Sequence, residues 1–331
     1  MKALKVRKQI HVSAVNMMSE CQVRAEFRYL RGIRRPPSAY LLVGSSTDES
    51  VAKNLGNKIT TGELLPRKDA VEIAAVKLDA MQEKDPIELD TDEKAEGKSI
   101  ESVLGEAKDK TVALAGLHWD QPAQVIAPKF VQHKFSIDMD AFLRRRAKRL
   151  HQEANEVPDR FFQKQLHNRA SALNAAARDG VDFAGEIDIL EEDPANLVIR
   201  DTKTSGKSPN KGSAEDSMQL TAYSLATQAI PELGGRLPDA AVLDYLVYTP
   251  KRHELKYVPL TNTPEQEDNN VFLNRFAVAV QAFRTGVFVP APATYWGCSE
   301  KFCGYFGICE YVKHPKTTSG LVTIEKAEAA V

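Results

Sequence analysis

Phe183-Ala184-Gly185-Glu186-Ile187-Asp188-Ile189-Leu190 and Leu197-Val198-Ile199-Arg200-Asp201-Thr202-Lys203 decide the fold. Both are apolar runs interrupted by single charged residues, and both read as strands. The Glu-Glu-Asp-Pro-Ala-Asn between them, 191–196, is turn chemistry, so the two form a hairpin. Side chains of a strand alternate with a period of two. Leu197, Ile199, Asp201 and Lys203 therefore share one face of the second strand, and Glu186 and Asp188 share one face of the first. Such a hairpin brings acids from both strands and a lysine to one place. Gln219-Leu220-Thr221-Ala222-Tyr223 follows, with Gln219 and Tyr223 four residues apart and hence stacked on one helical face.

These residue types suit the hydrolysis of a phosphodiester. Mg2+ is held through one or two carboxylates plus water and substrate phosphate, so Asp188 and Asp201 suffice as side-chain anchors. The backbone carbonyl of Thr202 is a further oxygen beside them. Lys203 orients the attacking water or offsets developing negative charge. Asp-x-Lys alone is a weak signal, because an acid and a lysine two apart are common on a solvated strand. Here the pair is embedded in Leu197, Val198 and Ile199, where unpaired charge is costly.

The order Gly-x-x-Asp, hairpin, Asp-x-Lys, Gln-x-x-x-Tyr resembles the PD-(D/E)XK nuclease superfamily, and more closely its RecB-like branch. The resemblance implies an α/β (α+β) fold with a restriction-endonuclease-like core, a central mixed sheet flanked by helices with the hairpin inside it. It implies catalysis by Asp188, Asp201 and Lys203 with Mg2+ or Mn2+ on Asp188, Asp201 and Thr202, and DNA contact through Gln219 and Tyr223. Two positions depart from the branch. Where it usually has a histidine four residues after a glycine, Gly44 is followed by Asp48, which can still bind a hard cation and is a further metal candidate. Where it tends to carry a glutamate on a preceding strand, Phe130 to Phe135 offers Gln132.

Four cysteines complete the chain's thiols: Cys21, then Cys298, Cys303 and Cys309. Four thiolates make a full coordination set for a [4Fe–4S] cluster or for Zn2+. Two disulfides are arithmetically possible, but a long chain without a secretory leader points to a reducing compartment. The nuclease resemblance favours the cluster. RecB-like nucleases of the AddB type and the CRISPR-associated iron–sulfur exonucleases have one cysteine before the core and three after it, joining the two ends through the metal. The first gap here, Cys298 to Cys303, is wider than is common in that subgroup. Ser13 reads as an N-cap, with Ala14, Met18, Cys21 and Ala25 on one helical face.

Composition bounds the rest. A chain of 331 residues with 27% charged residues buries a sizeable core, and no apolar run is long enough to span a bilayer. A cytoplasmic location, in a bacterial or phage-infected cell, is expected. The formal net charge of −1 does not advertise nucleic-acid binding, but Arg24, Arg28, Arg31, Arg34 and Arg35 cluster, as do Arg144, Arg145, Arg146, Lys148 and Arg149. Lys203, Lys207 and Lys211 flank the hairpin. Gly97-Lys98-Ser99 and Gly206-Lys207-Ser208 resemble the end of a phosphate-binding loop, but Asp92 and Asp201 stand where that loop needs glycine. No ATPase motor is readable, so a helicase would be a separate partner.

Residues 1–316 are expected to form one nuclease domain. Helices are expected at Gly44 to Lys53, Lys68 to Met81, Met139 to Arg178 and Val271 to Arg284, and a strand pair at Ala241–Tyr248 and Glu254–Leu260. The acidic, Lys-rich stretch 82–110 reads as a mobile insertion. Residues 290–312 should close onto Cys21, and 317–331 read as a flexible tail. The expected function is a DNA exonuclease of recombination, repair or phage DNA processing, with a single-strand annealing protein or a helicase as partner. A CRISPR-adaptation exonuclease is one alternative. A catalytically inactive DNA-binding or assembly module that keeps the fold is the other.

Overall fold

The computed structural model describes residues 9–193, 196–249, 252, 254–312 and 322–323. A short strand, β1 (Gln9–His11), runs into helix α1 (Val12–Glu20). The chain breaks to an extended conformation at Cys21 before α2 (Gln22–Ala25) and a π-helical turn at Glu26–Leu30. The expected continuous helix through Ala14 and Ala25 is thus interrupted at the cysteine. Ser13 is no cap; its hydroxyl meets Tyr29 OH at 3.1 Å. After β2 (Ile33–Arg34) come α3 (Ala39–Thr61), α4 (Arg67–Lys84), α5 (Thr91–Ala95), α6 (Ile100–Asp120) and α7 (Pro122–Val125). Then follow β3 (Pro128–Asp138), α8 (Asp140–Glu156), α9 (Arg160–Arg178), β4 (Asp182–Glu192), β5 (Leu197–Ser205) and α10 (Met218–Thr227). The chain ends with β6 (Ala240–Thr249), β7 (Glu254–Asn262), α11 (Gln266–Thr285) and β8 (Val322–Thr323). No helix among the described residues is long and apolar enough to cross a membrane.

The expected α/β architecture is present: a central mixed sheet flanked by helices. β3 lies antiparallel along nearly the whole of β4, from Asp138 opposite Asp182 to Pro128 opposite Glu191. A strand has two edges, so the other edge of β4 is shared. β1 takes its start in parallel, His11 opposite Ala184, and β5 takes its end in antiparallel, Ile189 opposite Arg200. Between these pairings, Gly185 to Asp188 face no ladder partner on that edge. β5 turns instead to a parallel pairing with β6, which pairs antiparallel with β7. The sheet therefore splits at the residues of interest.

The split is held open from its closed end. Arg200, in the last β4–β5 pair, ties three strands together: its Nε bonds Glu191 on β4, and its Nη1 bonds Asp244 Oδ1 on β6 at 3.1 Å. Tyr257 OH on β7 donates to the same Oδ1 at 2.6 Å. Asp244 is fully buried. Burial pushes its carboxyl up and the Arg200 charge pulls it back down, without fully cancelling the rise.

The segment 82–110 is not a mobile insertion. It supplies α5 and the first half of α6, and Ile87, Val103 and Ala107 are buried with Leu42, Val43, Leu78, Leu114 and Leu246 in a second core under β6. Its apolar residues are few: Ile87 packs from the loop before α5, and Val103 and Ala107, four apart, form a narrow stripe on α6 that charged neighbours dilute. The first helix extends past the expected Gly44 to Lys53 because Ser38 Oγ accepts from Leu41 N at 3.2 Å and Gly62, with φ of 82°, ends it. The helical segment 139–178 is two helices broken at Pro158, with Asp159 capping the second through Phe161 N and Phe162 N. In the tail, Val322 and Thr323 pair antiparallel with β2, while 317–321 and 324–331 lie outside the described residues. So do residues 1–8, 194–195 in the hairpin turn, and Pro250 between β6 and β7.

Replacing Arg200 by alanine leaves the buried Asp244 and the half-buried Glu191 carboxylates without their cation. The expected cost is about 3–5 kcal/mol in urea unfolding. A loss below about 1 kcal/mol would mean that solvent screens the network as it does a surface ion pair.

Candidate active site

The split between β4 and β5 gathers the acids predicted from the sequence. Gly185 starts it. A Cβ at this position would stand 2.7 Å from Phe135 Cζ and 3.1 Å from Val12 Cγ2, so only glycine lets both pack over the strand. Three residues on, the Asp188 carboxyl faces β5, and Thr202 N donates to its Oδ2 over a long 3.4 Å. Asp201 is fully buried, and its Oδ2 is in ion-pair contact with Lys203 Nζ. Neither Asp201 oxygen receives a hydrogen bond of good geometry. Lys203 Nζ also donates to Gln219 Oε1 at 2.9 Å, and Gln219 Nε2 donates to Tyr223 OH at 2.7 Å. Ser217 caps α10 by accepting from Leu220 N, which sets Gln219 in the first turn and Tyr223 one turn later. Tyr223 is 3% exposed, with its ring edge-on to Phe135. The pair therefore aims the lysine, and Tyr223 offers little surface of its own to a nucleic-acid strand.

Helix α3 closes the other side. Gly44 lies against Thr204, the position of an added Cβ being 3.6 Å from Thr204 Oγ1, and one turn later Asp48 faces the split. A cavity of about 110 Å³ is lined by Asp48, Gln132, Glu186, Asp188 and Thr202 among others. Gln132 follows Val131 in β3, whose partner is Ile189, and precedes His133, whose partner is Ile187, so it stands opposite Asp188. Its φ of 50° is in the left-handed region, a strained conformation of the kind that collects at functional sites. The sequence points to Gln132 and puts Glu186 on the same face as Asp188, but it carries no local signal for the strain or for the part played by Glu186 in the cavity wall.

Electrostatics show what the centre lacks. Burial raises the Asp188 carboxyl well above the carboxylate range, and the charge of Asp201 raises it further, while Lys203 pulls the other way. Asp48 is pushed up to about 7, first by burial and then by Asp201, against the pull of Lys203. Burial works to lower the Lys203 ammonium, but Asp201 and Asp188 more than offset it and hold it above its ordinary value. Three acids thus share one lysine. Among the described residues no three His, Cys, Asp or Glu side chains close into a ready cage for an ion. Magnesium does not require one, since it keeps several waters and takes only one or two carboxylates. The buried, unbonded oxygens of Asp201 beside Asp188 fit that demand.

The four thiols line a cavity that shares no residue with the acid-lined one. Cys21, Cys298, Cys303 and Cys309 all line one cavity of about 240 Å³, and none is in a disulfide. The C-terminal segment closes on the N-terminal one: Gln22 N donates to Val289 O at 3.2 Å, and Ala291 N donates to Cys21 Sγ at 3.3 Å. Phe27 stacks on Tyr305, whose hydroxyl donates to Ile33 O at 3.0 Å. Burial pushes the Cys298 thiol up, and the neighbouring Cys309 and Cys21 add to the rise. Burial also raises Cys303, with Arg24 pulling against it.

Two carboxylates from adjacent strands, Asp201 fully buried and Asp188 half-buried at a cavity wall, together with an ion-paired lysine, are the groups that metal-assisted phosphodiester hydrolysis would use. The family model of the PD-(D/E)XK nuclease superfamily matches residues 9–310, and the chain belongs to that superfamily. Its fold is consistent with the restriction-endonuclease-like one, and its members cleave phosphodiesters, generally with Mg2+ or Mn2+. The protein is thus a metal-dependent nuclease by family. No curated protein matches the sequence.

Because the folded pKa of Asp48 lies above its ordinary 3.8, its stabilising neutral form is fully populated below pH about 4 and is lost as the pH rises through about 7. Metal-free protein should therefore lose thermal stability over that window, and Asp48→Asn should flatten the loss. Mg2+ or Mn2+ at neutral pH should restore wild-type stability. Equal melting of Asp48→Asn and wild type at neutral pH without metal would show a solvated carboxyl.

Proposed function

We propose that the protein is a DNA exonuclease of the RecB-like branch, acting in recombination, repair or phage DNA processing. The observation that carries this reading is the continuous line of contacts Asp201–Lys203–Gln219–Tyr223 across the open end of the split. These are the motif residues of that branch, joined in space. When bound, Mg2+ or Mn2+ supplies a Lewis acid for a phosphoryl oxygen and for water. Asp188 and Asp201 would hold it, with the Thr202 carbonyl and Asp48 as further oxygens. Lys203 has three N–H donors. One serves Gln219, and the ion pair with Asp201 holds the ammonium in place, which leaves a donor for the attacking water or a phosphoryl oxygen. As the water oxygen bonds to phosphorus and the bond to the leaving oxygen breaks, that ammonium offsets the charge that builds on the phosphoryl group. Gln219, half-buried on α10, is the strand contact; Tyr223 holds it.

The same reading gives Cys21, Cys298, Cys303 and Cys309 a [4Fe–4S] cluster. All four line one cavity, and an iron core would relieve the mutual repulsion of their thiolates. A single zinc needs every sulfur about 2.3 Å from one point. Four thiols that share a cavity without closing on one point suit the larger cluster better. A single-strand annealing protein or a separate helicase would supply the protein with its DNA in the cytoplasm.

Asp201→Ala and Lys203→Ala are each expected to lower Mg2+- or Mn2+-dependent degradation of linear DNA on the order of 10²-fold or more, with unchanged circular dichroism. A wild type that binds DNA and never cuts it with either metal would make the chain a binding module. Covalently closed DNA cut as fast as linear DNA would make it an endonuclease.

Anaerobically purified protein should be brown, with about four irons per chain, and Cys21→Ser should lose them together with stability. One zinc and no iron would make the site a zinc clasp. No metal, with a fully stable mutant, would leave four ordinary thiols.

A further inference from the structure

Helices α3 and α6 bring a second polar group to the C-terminal end of β5 that bond cleavage does not use. Tyr40, in the first turn of α3, donates its hydroxyl to the backbone carbonyl of Thr204, the residue after Lys203. Its ring is left 55% exposed. Lys110 of α6 lies over that ring, with Nζ 5.0 Å from the centroid. Lys203 and Tyr245, paired across β5 and β6, are close enough to act on the Tyr40 hydroxyl electrostatically.

Lys110 differs from its neighbours in one respect. Lys98, just before α6, bonds Glu106, and Lys108 bonds Asp79 at 2.6 Å. Among the described residues Lys110 takes part in no ion pair, although it is half-buried. Burial alone acts on its ammonium, and lowers it, with no carboxylate to compensate. A half-buried cation held on an aromatic ring and lacking a counter-ion is a site for an anion that is absent from the folded chain itself. Its anchor is the backbone of the residue next to the catalytic lysine. A nucleic-acid strand supplies anions at regular intervals on either side of the bond being cut.

We propose that Lys110 and Tyr40 form a subsite for a backbone phosphate of the substrate strand, next to the scissile one. Lys110 meets the phosphate, and Tyr40, tied to Thr204, keeps the ammonium at a fixed offset from Lys203. The subsite rests on the nuclease reading and extends it. It sets which phosphodiester of a bound strand enters the split, and it assigns a task to the 82–110 region, whose helix delivers Lys110.

The test uses Lys110→Met, which keeps the aliphatic stem, and Lys110→Arg, which keeps the charge, with thermal melting as a check on folding. Binding of a fluorescent oligonucleotide is measured in Ca2+ over a range of salt, and single-turnover cleavage in Mg2+. Matched oligonucleotides carry one neutral methylphosphonate at each position around the cut. Lys110→Met is expected to weaken binding about tenfold, the value of one charge-assisted contact. It should also lower the slope of log affinity against log salt by about one, while Lys110→Arg keeps both. One methylphosphonate should weaken the wild type by the same factor and leave Lys110→Met unaffected, as expected of two partners in one contact. Unchanged affinity and slope in Lys110→Met, or a methylphosphonate penalty equal in both proteins at every position, overturns the subsite and leaves the nuclease reading standing. A wild type that neither binds nor cuts DNA overturns both.

Discussion

Two carboxylates, Asp201 fully buried and Asp188 half-buried, lie within electrostatic reach of each other and share one lysine. That arrangement is unfavourable by itself, because each ionised acid raises the free energy of the other where water cannot screen them. Much of the surrounding structure keeps them there. β4 and β5 pair only from Ile189 and Arg200 toward the turn, and then separate. The Arg200–Glu191–Asp244–Tyr257 network fixes the last pair across four strands. Gly185 allows Phe135 and Val12 to press on β4 from the near side. The instability stored in the acids is what a divalent cation can release, so affinity for metal and strain in the metal-free state have one origin.

What was legible in the sequence was local. The two strands, their turn and the Gln219–Tyr223 helix each announce themselves over fewer than a dozen residues. Period-two alternation placed Asp201 and Lys203 on one face. The acid on the neighbouring strand then followed from the hairpin. The separation of the strands beyond Ile189 was not legible, because it arises from β1 and β5 sharing one edge of β4. Residues far apart in the chain decide that competition. The same holds for Tyr40 and Lys110, on two helices, which meet only because both pack over the end of the sheet. The 82–110 stretch misled for a different reason. Its charged residues dominate the composition, while Ile87, Val103 and Ala107 do the packing. Cys21 was placed on a regular helix by its spacing, whereas the break in the chain there turns its thiol into the cavity.

The molecule has cores of unequal kind. The larger joins α1, α8, α9, α10 and α11 to one face of the sheet and is rich in aromatic rings, among them Phe183, Phe272 and Phe276 stacked edge to face or tilted. The smaller, under α3, α4 and α6, is aliphatic. A third cluster, Val51 and Leu55 of α3 with Ala123, Ile126 and Ile189 of β4, packs beside the acids and holds α3, which carries Asp48, against the strand that carries Asp188.

The clasp between the chain ends also imposes an order in time. The backbone of Ala291 reaches the Cys21 sulfur across 270 residues of sequence. A ribosome adding about 5–20 residues per second needs roughly 15–55 seconds to make that stretch. Throughout that interval Cys21 is a solitary thiol on a nascent chain, and strands β1 to β7 with the catalytic split can be assembled before its companions emerge. The thiol cavity thus closes after the catalytic split has been made, and whatever fills it meets a sheet that is already in place.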